Sequence, residues 1–248
     1  MKFFSLLFLV FAGCLPVAAQ KIIRETPTPA PPPSIPRTVA PGAASPSSAS
    51  VSPAVRLNAV PDKGEVRGNV YRNQTYRFEI AFPDAWRITG DDFGDFARTQ
   101  GYDISLKAPD VLPGVNQAQL NRALQNVTVL LTAYRATEGS KDGAILRIST
   151  EDLYAVPQVK DAVDYFDLMR SQFGTMKLPA DFKYSETQAE KLGRKQFAFL
   201  DTSTSAGKKR LYATVKGRRA IMFTLSYRTD DDLKTMRQIL SAGDFNIK

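Results

Sequence analysis

Val70–Thr89 reads VYRNQTYRFEIAFPDAWRIT, and this stretch decides the fold. Tyr76, Phe78, Ile80 and Phe82 are alternate residues and fall on one face of an extended chain, the period of a half-buried strand. Pro83-Asp84 makes a turn, and Trp86, the only tryptophan, opens a second strand. These are core and turn residues of a sheet domain. They are not a catalytic motif.

The residues after this stretch continue the pattern. Val66–Tyr71 and Tyr76–Phe82 are predicted as strands around a polar Arg72-Asn73-Gln74 turn, with Trp86–Thr89 and Tyr102–Lys107 as the next two. Gln117–Gln125 is predicted as a short helix. Val127–Ala136, VTVLLTAYRA, is the most apolar run and reads as a central strand buried on both faces, with Ile145–Ser149 a weaker one. Asp161–Phe173 places Ala162, Val163, Phe166, Met169 and Phe173 at helical spacing, with Asp161 as N-cap and Gly174 as stop. Gln196–Thr202, Lys209–Val215 and Ala220–Tyr227 alternate and are separated by Ser205-Ala206-Gly207 and Lys216-Gly217-Arg218, so they form an antiparallel meander. Asp230–Ala242 is a closing helix capped by Asp230, with Leu233, Met236, Ile239 and Leu240 on its buried face. The fold class is α+β, an antiparallel sheet with helices packed on it.

Upstream of the sheet the composition changes twice. Residues 1–19 read as a signal peptide: Lys2, an apolar Phe3–Phe11 run too short to span a bilayer, and small residues at Val17-Ala18-Ala19 before the cleavage point. Residues 20–62 form a Pro/Ala/Ser-rich linker that lacks the apolar content to fold, and residues 63–248 form the domain. Cys14, the single cysteine, follows Phe11-Ala12-Gly13 in the manner of a bacterial lipobox and is a candidate for lipidation. Cleavage after Ala19 is favoured by the small-residue rule. The chain is expected to be exported, to the periplasm or beyond the cell, or else held at a membrane through a lipid on Cys14.

The chain has no histidine, and its one cysteine lies within the signal. The domain therefore lacks the residue types of the usual zinc, copper and haem sites, of a Ser-His-Asp triad and of a Cys-His pair. Half of the formal charge of +8 belongs to the first 61 residues, so the domain carries no nucleic-acid signature. No cofactor and no nucleic-acid partner are expected, and the chain reads as a protein without enzymatic activity.

Tyr71-Arg72-Asn73, Tyr76-Arg77-Phe78 and Phe82-Pro83-Asp84-Ala85-Trp86 resemble the opening signature of PsbP-like domains. The closing YATVKGRRAIMFTLSY with its helix and Asp244-Phe245 is similar to that family's last hairpin and helix. The family is shared with Ran-binding Mog-type proteins and bacterial envelope lipoproteins. The resemblance implies an α/β/α sandwich and a role in binding or stabilising other proteins. It assigns no functional residue here.

Candidate sites are few. Lys208, Lys209 and Arg210 at the start of a meander strand are candidates for binding an acidic partner, here an unidentified envelope protein. Asp91, Asp92 and Asp95 are weak candidates for a metal, since their spacing lacks the ligand pattern of a calcium loop. Tyr165, Phe166, Phe173, Phe197, Phe199 and Phe223 read as core, the alternative being the lining of a small-ligand pocket. A carboxylate-based hydrolase would need two acids about 5–10 Å apart in a cleft, and no such pair stands out.

Overall fold

A computed structural model describes residues 61–89, 110–114, 116–135, 143–205 and 207–247. The predicted signal, Cys14, most of the linker and the expected Tyr102–Lys107 strand lie outside the described residues.

The opening stretch builds a small antiparallel sheet from β1 (Glu65–Arg67), β2 (Val70–Asn73) and β3 (Phe78–Ala81), joined at its far side by β12 (Asp244–Phe245). The expected Val66–Tyr71 strand is two strands, because Gly68 takes a left-handed φ of 60° and folds the chain back at Asn69. β3 begins two residues later than alternation suggested, since Gln74–Arg77 forms the turn and Arg77 sits at φ 58°. Asn73, fully buried, holds that turn: its Oδ1 accepts from the Tyr76 amide at 2.8 Å and its Nδ2 donates to the Asp62 carbonyl at 2.9 Å. All four alternating aromatic and aliphatic residues, Tyr76 to Phe82, are buried as predicted.

Trp86 does not open a strand. Its amide donates to the Pro83 carbonyl at 2.8 Å, so it stands in the turn, buried against Phe82, where the chain leaves one sheet for the other. The larger sheet contains β4 (Arg87–Thr89), β5 (Val127–Arg135), β6 (Ala144–Asp152), β7 (Lys183–Tyr184), β8 (Gln188–Leu192), β9 (Lys195–Thr204), β10 (Gly207–Lys216) and β11 (Arg219–Tyr227). Its order is β4-β5-β6-β11-β10-β9-β7, with β8 also paired to β9. The meander β9-β10-β11 is as expected. The centre of the sheet is β11, flanked by β6 and β10, and β5 lies one strand from the edge. Ile145–Ser149 looked weak because Arg147 and Ser149 interrupt its apolar run, yet both are buried.

Strand alternation divides the larger sheet into two faces. On one, Leu146, Ile148, Phe197, Tyr212, Ile221, Phe223 and Leu225 meet the small sheet and helix α3 (Asp230–Ala242) through Met236, Ile239 and Leu240. On the other, Leu200, Leu211, Ala213, Ala220 and Met222 meet helix α2 (Ala162–Phe173) through Tyr165, Phe166, Met169 and Phe173. Helix α1 (Gln117–Leu124) buries Leu120 against Met176. Helices thus pack on both faces of a mainly antiparallel sheet, an α+β arrangement.

The helix ends follow their caps. Asp161 Oδ1 accepts from Val163 N and Asp164 N at 2.8 and 3.0 Å, as expected for α2. The cap of α3 is Thr229 rather than Asp230, because Thr229 and Asp232 bond each other's amides reciprocally and Asp230 already lies in the first turn. Strands β7 and β8 were not anticipated: their residues are mostly exposed and carry no alternation.

Phe223→Ala is expected to destabilise the fold by about 3–5 kcal/mol, and Thr229→Ala by about 1 kcal/mol. Urea midpoints of the two variants test this. Equal losses would remove Phe223 from the centre of the core.

Candidate functional site

The three basic residues at the start of β10 do not share a surface. Neighbouring residues on a strand point to opposite faces, so Lys208 and Arg210 lie on the α3 side and Lys209 on the α2 side. Lys208 Nζ stands 3.3 Å from Asp230 Oδ1 at the surface. Arg210 turns inward. Its Nε and Nη2 donate to the two Asp201 oxygens, both at 2.7 Å, and its guanidinium carbon lies 4.3 Å from the centre of the Phe199 ring.

Glu190 on β8 completes this cluster. One of its oxygens accepts from the Tyr212 hydroxyl and stands 3.4 Å from Arg210 Nη1, and the other accepts from Arg237 on α3. Burial pushes the Glu190 carboxyl up, but the hydrogen bonds from Tyr212 and Arg237 and the charges of Arg237 and Arg210 outweigh it and hold it below its ordinary value. Burial and the bond to Glu190 push the Tyr212 phenol up. The cluster joins β8, β9, β10 and α3, and its carboxylates are committed to arginines.

Lys209 lies in different company. Burial, with a contribution from the charge of Arg147, pushes its ammonium down to about 7. Arg147 is itself pushed down to about 10 by burial.

Asp91, Asp92 and Asp95 lie outside the described residues. Among the described residues no group of three or more metal-ligating side chains stands together. Phe197 and Phe223 pack edge-on at 5.6 Å within one core, and Tyr165, Phe166 and Phe173 fill the other. These aromatics pack into the two cores, as their periodicity predicts.

A feature not anticipated from sequence lies at the β2–β3 turn. An open groove of about 410 Å³ is walled by Arg72, Gln74, Arg77 and Glu79 on one side and by Asp244 and Asn246 on the other. Arg72 and Glu79 face each other across the two strands, with Nε donating to Oε2 at 2.5 Å. The Asn246 amide donates to the Arg77 carbonyl at 2.9 Å, which fixes the C-terminal wall. Lys216 Nζ donates to the Thr75 carbonyl at 3.0 Å and adds a third cation beside the turn. The turn residues Arg72, Asn73 and Gln74 are visible as polar in the sequence. Their partners come from the far end of the chain, and no local signal connects the two.

The arrangement defines an α+β protein with helices on both faces of an antiparallel sheet. No protein-family model matches the chain, and no curated protein matches it. Among solved structures, the chain is similar to the solution structure of cyanobacterial PsbP (CyanoP) from Synechocystis sp. PCC 6803. The identity is 13%, the TM-score 0.40, and the match covers 73% of this chain and 98% of that one. It is also similar to the crystal structure of LpqN, involved in cell envelope biogenesis of Mycobacterium tuberculosis, at 13% identity and a TM-score of 0.36, covering 67% of this chain and 82% of that one. Neither likeness speaks to what this chain does. No helix of the described residues is long and apolar enough to cross a membrane, which says nothing of strands.

A carboxyl whose folded-state pKa lies below its unfolded value stabilises the fold above the unfolded value and loses that contribution as pH falls through the folded one. Glu190 is such a group. Glu190→Gln is therefore expected to lower the urea midpoint at pH 7, and the gap to wild type is expected to close as the pH drops below the ordinary carboxylate range. A gap that stays constant down to strong acid would show that Glu190 contributes by shape and not by charge.

Proposed function

We propose that this chain is a non-catalytic, exported envelope protein that serves as a binding or accessory module for another protein or complex. Its domain is read as an α/β/α sandwich of PsbP-like type on a Pro/Ala/Ser-rich tether. The tether is free after cleavage at Ala19 or fixed by a lipid on Cys14.

The groove at the β2–β3 turn carries this reading. Small-molecule sites are concave and mostly apolar, whereas this groove is open and walled by Arg72, Arg77, Glu79 and Asp244. Mixed charge on a shallow surface suits the polar contacts of a protein partner, where complementarity sets specificity. The tight pairing of Glu190 and Asp201 with arginines favours a non-catalytic role, since a general acid must hold a proton at working pH.

The test immobilises the full chain, passes native envelope extract over it and identifies what is retained by mass spectrometry. Arg77→Glu reverses one wall of the groove and Gln74→Trp blocks it by bulk, both at exposed positions. A partner held by wild type and retained at least about tenfold less by both variants, with unchanged thermal unfolding, is the expected outcome. Equal retention by all three would move the contact away from the groove, and no specific retention by wild type would remove the accessory role.

A further inference from the structure

The α2 face of the larger sheet is only half apolar. Beyond the Leu200, Leu211, Ala213, Ala220 and Met222 patch, strand register collects a polar set on that same face. Arg147 on β6 is paired across to Thr132 on β5 and to Thr224 on β11. Lys209 on β10 is paired across to Thr202 on β9 and to Ser226 on β11. Arg147, Thr132, Thr202 and Thr224 are all buried, Arg147 being only 6% exposed.

Arg147 has little to satisfy it. Its Nε donates to Thr132 Oγ1 at 3.3 Å, while its Nη1 is buried without a hydrogen-bond partner. Among the described residues no carboxylate forms an ion pair with it, in contrast to Arg210 and Arg135, which each meet an aspartate. A guanidinium is effectively always charged, and a buried charge with neither a counter-ion nor full hydrogen bonding is strongly disfavoured. Lys209, half-buried and within reach of the charge of Arg147, adds a second cation on the same face. Two cations among threonine and serine hydroxyls are the donor set that recognises an oxyanion, with a forked guanidinium as its anchor.

We propose that this polar face is a binding site for a small oxyanion, a phosphoryl or sulfonyl-type group, held by Arg147 on β6 and Lys209 on β10 with the hydroxyls of Thr224 and Ser226 on β11, the strand between them. The site lies on the sheet face opposite the one that meets the small sheet, and it stands or falls independently of the groove reading, because the two use different residues and different measurements.

The experiment measures thermal unfolding of the full chain in phosphate and in sulfate against chloride at equal ionic strength. Wild type, Arg147→Met and Lys209→Gln are compared. General salting-out stabilisation acts on all three alike and cancels in the comparison. Wild type is expected to gain about 5–10 °C at saturating oxyanion over chloride. Arg147→Met is expected to be as stable as wild type or more so in chloride, because a buried unpaired charge has been replaced by an apolar side chain of similar length. It is also expected to lose the oxyanion response. Lys209→Gln is expected to keep the response with apparent affinity weakened about tenfold, the scale of one charge-assisted hydrogen bond. The proposal is overturned if wild type responds no more than Arg147→Met, or if Arg147→Met is destabilised in chloride and its response is unchanged. Should Arg147→Met not fold, an unaltered affinity in Lys209→Gln overturns it instead.

Discussion

The edge-on packing of Phe223 holds the two sheets together. Its ring lies 5.5 Å from Phe78, 5.6 Å from Phe197 and 5.6 Å from Phe245. Those four residues come from β3, β9, β11 and β12, so one cluster joins the opening strand, the meander and the last strand. Offset and edge-on ring pairs add to what area burial alone supplies. Everything else depends on that junction: α3 covers the sheet beside it, and the groove walls stand on β3 and β12, which the cluster positions.

With one face of the larger sheet committed to that apolar junction, charge is sorted by side. The α3 face carries arginines matched to acids, Arg210 with Asp201 and Glu190, and Arg237 with Glu190. The α2 face carries cations and hydroxyls, with its buried Glu151 occupied by the Tyr165 hydroxyl at 2.7 Å. Alternation along β10 is what splits Lys209 from its two basic neighbours. A run of like charges in sequence therefore says little about a patch in space when the run is a strand.

Much of the architecture was legible because its signals are local. The alternation of Phe197, Phe199, Leu211, Ala213, Ile221 and Phe223, and the helical spacing of Phe166, Met169 and Phe173, depend on neighbours within a few residues. The Asp161 cap does too. Thr229 does not stand out as the cap because Asp230, also a good capping residue, stands next to it, and only backbone angles distinguish them. β7 and β8 were invisible because edge strands facing solvent need no alternation. The site residues were the least legible. Arg147 interrupts an apolar run and so weakened the strand it belongs to, and the groove draws Asp244 and Asn246 from a distance no sequence window spans. Only register, which tertiary structure sets, brings Arg147 and Lys209 to one face.

The pairing of β12 with β3 also governs the order in which this chain can be completed. β3 has β2 on one side from the outset, but its other edge is matched only when Asp244 and Phe245 arrive. Closing so long a loop is slow compared with forming the hairpins. A chain emerging from its N-terminus thus carries an unsealed β3 edge, with Phe78 lacking the Phe245 ring, until Asp244 and Phe245 have been made. A contact of this kind delays the final packing of the junction, so that the β3 edge stays open until β12 docks on it.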